Sequence, residues 1–294
     1  MKRAAFTLLA GCLSALSPVS ASQQQPAGAR TQDIYVSVVD KGNAATGLTA
    51  RDFTVREDGV AREVLRAQTA SEPLDIVLLV DDSQAATSAI PHLRDGLTRF
   101  VDRLQGKGKI GIVTIGERPT SVVDSTTDMA ALKKGIGRIF ARPGSGAYLL
   151  EGIREVTRGF RLRESKRPTI IALTVEGVEF SNLQHERVVA DLVASGATLH
   201  VLAIGTPAPT TSDEIRNRNV VLAEGTELTG GRRDQLLSPM AIEDRLQQVA
   251  GELLNQYVVT YARPESLVPP EKVQVTVNKP GLTARARTRL PHRK

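Results

Sequence analysis

The sequence predicts an α/β fold: a doubly wound, mainly parallel sheet, accompanied by a small β unit built from N- and C-terminal flanking strands. Three observations carry that expectation. The runs "LDIVLLVD" (74–81) and "TIIALTVE" (169–176) are continuously apolar, as strands are when helices cover both faces of a parallel sheet. Around them, amphipathic segments alternate with further apolar runs, which is the rhythm of a wound sheet. Period-two alternation is concentrated toward the two ends of the chain.

Taken in order, residues 1–21, "MKRAAFTLLAGCLSALSPVSA", start with Lys2 and Arg3, continue with an apolar stretch from Ala4 to Leu16, and end on Val19-Ser20-Ala21. This is the pattern of a signal peptide, too short for a spanning helix. A rival expectation comes from "LAGC" (9–12), which resembles a lipobox and would anchor the chain through a lipid on Cys12. Residues 22–32 are polar and without periodicity, so they read as a flexible linker. Residues 33–70 form an N-terminal β segment, with Asp58-Gly59 between two alternating runs as a hairpin turn.

Residues 71–263 carry the α/β alternation. After the strand at 74–81 comes a helix with Leu93, Leu97, Phe100, Val101 and Leu104 on one stripe. "KIGIVTIG" (109–116) and "TSVVDST" (120–126) are strands, and "DMAALKKGIGRIF" is a helix with Asp128 as its cap. The loop "ARPGSG" leads into the helix "AYLLEGIREVTRGF"; the strand at 169–176 is followed by the helix "HERVVADLVASG", closed by Gly196. "ATLHVLAIG" is a further strand, "AIEDRLQQVAGELLNQ" a terminal helix, and "QYVVTYA" the last strand of the alternation. Residues 264–294 return to a β pattern in "KVQVTVN" and "LTARART" and end in a basic tail. This C-terminal segment is expected to pack with residues 33–70, because neither could bury a face alone.

Composition narrows the partners. Aromatic residues make up only 3% of the chain and Trp is absent, so the stacking platforms that hold single-stranded nucleic acid are poorly supplied and no nucleic acid is expected. The net charge of +6 becomes +4 once Lys2 and Arg3 leave, with 36 basic residues against 32 acidic ones, and much of it lies in "RARTRLPHRK". That tail is either a solvated strand end or a peripheral contact to an anionic membrane surface or polysaccharide. Cys12 is the only cysteine, so the mature chain has no disulfide to form although export would allow one.

In open α/β sheets the ligand crevice lies at the carboxyl ends of the strands. The candidates there are Asp81, Asp82 and Ser83 after the first strand, and Glu176 and Glu179 after "IIALTV"; the loop "PGSGAY" reaches toward the same edge. Oxygen ligands of this kind suit a hard cation such as Mg²⁺. "GKGKIG" (106–111) matches G-x-G-x-x-G but precedes a strand, which removes its meaning as a nucleotide motif. Ser83 lies in no G-x-S-x-G elbow, and His92, His185, His200 and His292 have no ligand spacing. His200, inside a strand, reads as a satisfied structural histidine.

The alternation, the strand ending in Asp-x-Ser and the apolar strand ending in an acid-Gly pair resemble a von Willebrand factor A domain, which is Rossmann-like. The flanks "GLTARDFTVREDGVAREVLRAQ", "LLNQYVVTYARP" and "VQVTVNKPGLTARAR" resemble those of its exported bacterial subgroup. The resemblance implies a metal-ion-dependent adhesion site of the form D-x-S-x-S, with a Thr and an Asp from later loops. Asp81 and Ser83 match the first two ligands, whereas Ala85 stands at the second Ser, Ala147 at the Thr, and Glu176 of Val175-Glu176-Gly177 at the Asp. The expectation is a degenerate site: Asp81, Ser83 and Glu176 as weak or vestigial ligands, with Asp82, Ala85, Ala147 and Glu179 as neighbours. Weak Mg²⁺ or Mn²⁺ is one outcome and no cofactor the leading one, in which case "DDS" is a strand end whose side chains cap the next helix.

The functional expectation is an exported, non-catalytic interaction or adhesion-type module, periplasmic or extracellular, that offers its upper edge to a protein or glycan. The alternatives are an envelope scaffold docked through the β unit or basic tail, and a hydrolase using a carboxylate pair from Asp82, Glu176 and Glu179.

Overall fold

The computed structural model describes residues 29–207, 209–210, 212–265 and 269–290; the signal peptide with Cys12, most of the linker, and His292 with the end of the tail lie outside them. The chain opens with β1 (Ala29–Asp40), β2 (Asn43–Ala44), β3 (Phe53–Glu57), β4 (Val60–Arg62) and β5 (Val64–Thr69). The α/β body follows as β6 (Leu74–Val80), α1 (Ile90–Arg103), β7 (Gly108–Thr114), β8 (Thr120–Thr126), α2 (Met129–Ile136), α3 (Leu149–Leu162) and β9 (Pro168–Val175). It continues through α4 (His185–Ser195), β10 (Thr198–Ile204), α5 (Asp213–Thr229), β11 (Arg233–Leu236) and α6 (Ile242–Leu254). β12 (Tyr257–Pro264), β13 (Val273–Val277) and β14 (Leu282–Ala286) complete the described chain.

The body is a six-stranded sheet in the order β11-β10-β9-β6-β7-β8, parallel except for the edge strand β8. Alternate side chains of β6 enter opposite layers. Ile76, Leu78 and Val80 pack with Leu93, Leu97 and Phe100 of α1 and Ile242, Leu246 and Val249 of α6. Val77 and Leu79 pack with Ile153 of α3, Leu192 of α4 and Val221 of α5. Two covered faces explain why β6 and β9 read as unbroken apolar runs. Among the described residues no helix is long and apolar enough to cross a membrane.

The flanking strands form the second unit. β14-β1-β12-β5 is an antiparallel sheet, β13-β3-β4 a smaller one, and the two share a core built on Ile34, Val36, Phe53, Val55, Val259 and Tyr261. The hairpin turn falls on Asp58 and Gly59, whose φ values of 46° and 84° are those of a two-residue primed turn. Arg167, immediately before β9, ties the units together: it donates to the Leu253 carbonyl and to Gln256 and lies 5.4 Å over the Tyr35 ring.

Three sequence expectations change. The strand begins at Ala29, inside the segment expected to be linker, because residues 29–32 pair with Tyr261–Pro264. "QYVVTYA" belongs to the β unit, between β1 and β5, and not to the wound sheet; an apolar run does not disclose its partners. α5 and β11 had no counterpart in the sequence reading. The inner face of α5 buries Asn217, Arg218, Thr226 and Thr229, so the helix lacks a clean apolar stripe.

Candidate functional site

β6 and β9 are neighbours and run parallel, so their carboxyl ends bring Asp81 and Glu176 to one edge of the sheet. The Asp81 N–H continues the ladder to the Leu173 carbonyl, and its side chain extends it by one rung. Oδ2 accepts from the Val175 N–H at 2.9 Å and Oδ1 from the Ser83 N–H at 2.9 Å, so both carboxylate oxygens face backbone donors. Burial pushes the Asp81 carboxyl above its ordinary value, against the pull of those donors and of Arg218.

Asp82 turns the other way. Its Oδ1 accepts from the Gly116 N–H at 2.6 Å and its Oδ2 from Arg142 Nε at 2.9 Å, while Arg142 Nη1 reaches Glu117 at 3.0 Å. Gly116 is required here, because a Cβ would stand 2.6 Å from the Asp82 oxygen. The Asp82 contact holds the Arg142 guanidinium above its usual range.

Glu176 pairs with Arg218 of α5, whose Nη1 lies 3.0 Å from Oε2 and whose Nη2 lies 3.4 Å from Thr174 Oγ1. The Arg218 side chain is 2% exposed, so a guanidinium is buried between the strand end and the helix. Glu179 lies against the same cation at a longer 3.8 Å. Its Oε1 accepts from the Leu149 and Ser181 N–H groups, both at 3.1 Å, which fastens the loop after β9 to the N-terminus of α3. Its Oε2 has no hydrogen-bond partner among the described residues, and burial pushes the carboxyl up to about 7.

The two alanines are packed, and neither supplies an oxygen from its side chain. Ala147 bridges in parallel to Glu179, donating to the Val178 carbonyl and accepting from the Phe180 N–H, each at 2.8 Å. Ala85 is met by Gly177, where an added Cβ would fall 2.6 Å from the Ala85 methyl. The "PGSGAY" loop reaches this edge: Gln84 Oε1 accepts from the Gly144 N–H at 2.7 Å, and the Phe180 ring covers Gly146.

Ser83 departs from the capping expectation. It precedes the short 3₁₀ turn Gln84–Ala86, but its hydroxyl makes no capping bond, and α1 has Ala89 at its N-cap and no side-chain cap. The donors that Asp81 and Asp82 satisfy belong to strand ends and turns, which is where the chain leaves N–H groups free. His200 also departs from expectation. It is fully buried with neither ring nitrogen hydrogen-bonded among the described residues, and burial, with Arg285 and Arg232 nearby, lowers it to about 3.

Sequence reasoning missed Arg142 and Arg218, the two cations that organise the edge. The only hint of Arg218 was its place in a segment with no apolar stripe. Arg142 lies in the quoted loop "ARPGSG" without any spacing that distinguishes it. Among the described residues, no three His, Cys, Asp or Glu side chains are grouped so as to hold a metal ion.

Comparison with known proteins follows the same outline. The family model of the von Willebrand factor type A domain matches residues 75–226, just over half of the chain and almost the whole wound sheet. A solved von Willebrand factor type A structure from Catenulispora acidiphila superposes with a TM-score of 0.52 at 13% identity, over 90% of this chain and 73% of that one. The vWF domain of the type V pili tip protein Mfa5 from Porphyromonas gingivalis aligns at 12% identity with a TM-score of 0.46, over 62% of this chain and 95% of that one. No curated protein sequence matches the chain. Sheet order, helix layers and the family match agree, and the chain belongs to the von Willebrand factor type A domain family.

Proposed function

We propose that this chain is an exported, non-catalytic interaction module that meets a protein or glycan through the carboxyl edge of its α/β domain, without a resident metal ion. The observation that carries this reading is that the carboxylates brought to the edge already have partners within the chain. Asp81 is held by two N–H groups, Asp82 by Gly116 and Arg142, and Glu176 by Arg218. Mg²⁺ and Mn²⁺ demand several oxygen ligands in near-octahedral geometry. As arranged, the residues do not fit that shell: Ala85 and Ala147 offer no hydroxyl, Gly177 closes on Ala85, and Arg218 already supplies the positive charge beside Glu176.

Exposed apolar side chains support the edge as the contact surface. Among the described residues eight large hydrophobics are exposed, and five of them, Phe140, Val178, Phe180, Leu237 and Met240, lie in loops at or beside the carboxyl ends of the sheet strands. Export rests on the pattern of residues 1–21. The scaffold reading is weakened because Arg285 is ion-paired with Glu252 and Arg287 is turned inward onto the Gly196 carbonyl, which leaves fewer tail cations facing outward. A hydrolase would need a carboxylate pair free to exchange protons, and Asp82 and Glu176 are ion-paired.

Site-specific photo-crosslinking in the native host tests the reading. A crosslinker in place of Phe180 should capture a discrete partner, with the same yield in the presence of a chelator. One in place of Leu162, at the far end of α3, should not. Loss of the Phe180 adduct on chelation would reject the metal-free mode, and equal capture from both positions would reject the edge.

A further inference from the structure

A cavity of about 350 Å³ opens beside this edge, between the β7–β8 turn and the loop that joins α2 to α3. That volume is at the lower end of pockets that hold small ligands. We propose that it binds a carboxylate-bearing group with a short apolar body, supplied either as a free small acid or as an acidic side chain of a peptide. The inference does not depend on a macromolecule docking at the edge, and it uses different atoms from the Asp81–Glu176 cluster.

The floor carries Thr114, which is 2% exposed and whose hydroxyl has no hydrogen-bond partner among the described residues. A buried hydroxyl left unpaired is unfavourable, and it marks a position where an arriving oxygen would gain a bond. Asp82, also at the floor, is already committed to Gly116 and Arg142. Arg142 and Arg138 line the cavity together with the apolar side chains of Phe140, Ala141 and Val122.

Charge favours an anion. Arg142 serves both Asp82 and Glu117 through Nε and Nη1, and among the described residues its Nη2 has no acceptor. Arg138 has no carboxylate within 4.0 Å among the described residues, nor has Arg118 in the adjoining turn. Within the lining, Arg142 answers both carboxylates, Asp82 and Glu117, so Arg138 is the cation left for an arriving anion. Planar guanidinium N–H groups match a carboxylate's two oxygens, and the apolar wall selects an acid that carries a hydrocarbon body over a bare inorganic ion.

The walls are also fixed in advance. Arg94 lies 4.1 Å over the Phe140 ring and clasps the Ile139 carbonyl, with Nε at 2.8 Å and Nη2 as a second donor. The Arg142 N–H donates to the Asp82 carbonyl at 2.8 Å, which pins the other end of the loop. A rim held at both ends loses little freedom when a ligand enters.

The test is a titration of the full chain followed by NMR, with benzoate and acetyl-Asp-Phe-amide as probes and benzamide and acetyl-Asn-Phe-amide as neutral controls. Saturable shifts at Thr114, Gly116 and the Arg142 side chain are expected in the millimolar range or tighter, with the amides about tenfold weaker. Tighter binding of benzoate assigns a free acid as the source, and tighter binding of the peptide assigns an acidic side chain. Arg138→Gln, which leaves the Asp82–Arg142 pair intact, should weaken binding about three- to fivefold without a change in melting temperature. Thr114→Val should weaken binding while raising the melting temperature, because it removes the unpaired hydroxyl. Equal response to acids and amides, no saturable shift, or unchanged affinity in both variants would overturn the proposal.

Discussion

Glu57 in the β unit and Glu179 at the sheet edge are both buried carboxylates, yet they are supplied with positive charge very differently. Glu57 Oε1 accepts from the Tyr261 hydroxyl at 2.7 Å and from Arg263 Nε at 2.8 Å, and its Oε2 accepts from Arg62 at 3.0 Å. Burial alone would raise its carboxyl, but Arg263, Tyr261 and Arg62 together hold it below the usual range. Glu179 shares one guanidinium with Glu176 and stands 3.8 Å from it, and burial prevails. Both carboxylates are closed off from solvent, but Glu57 lies at a shallower site with two cations converging on it and keeps its charge, whereas Glu179 is deeper, shares one cation and titrates.

The comparison is broken most directly at Arg218. Arg218→Met keeps an apolar stem but leaves Glu176 and Glu179 without their cation, and about 3–5 kcal/mol of stability should be lost at pH 8. Urea unfolding would measure it; the loss should be smaller at pH 6, where Glu179 takes up a proton. Glu57→Gln should cost about 1.5–3 kcal/mol, by the same measurement, from weakened bonds to the two arginines. That loss should be nearly the same at pH 6 and pH 8, because Glu57 stays ionised across this range.

Glu179→Gln sharpens the contrast. The folded-state value of about 7 lies above the ordinary 4.5, so over that interval the folded chain holds a proton that the unfolded chain has released. Stability from this group therefore falls as pH rises from the ordinary value through the folded one. The variant should lose that slope and gain about 1–2 kcal/mol at pH 8, read from unfolding curves across pH. The smallest effect is expected from Ala85→Ser combined with Ala147→Thr. Restoring both hydroxyls should leave calorimetric titration with Mg²⁺ silent at millimolar concentrations, because Asp81 and Glu176 keep their internal partners. Heat of binding in that double variant would mean that the internal partners yield to the metal.

Much of the fold was legible because burial imposes local patterns. Strands covered on both faces must be continuously apolar, so β6 and β9 could be read, and the Asp58-Gly59 turn announced its hairpin. α5 was hidden because its inner face is occupied by polar groups that serve the edge, including Arg218. The positions of Asp81, Ser83, Glu176 and Glu179 were legible as strand-end residues, but their partners were not. Arg142 is 60 residues from Asp82 and Arg218 is 42 from Glu176, and no local periodicity encodes such pairings. β12 illustrates the same limit for a strand: its apolar residues are plain in the sequence, while one of its two neighbours, β1, comes from a segment more than two hundred positions away.

The pairing of Thr69 with Tyr257 has a consequence for how the chain matures. The whole α/β domain leaves the β unit and returns to it between two adjacent hydrogen-bonded strands, which lie only about 5 Å apart. Domains generally fold as units during synthesis, starting from the N-terminal side. Here β1 to β5 are made first but lack β12, β13 and β14, so their sheets stay open until the inserted domain has been completed. The segments made earliest are thus among the last to close, and the inserted domain, once folded, holds the two ends of the gap together for them.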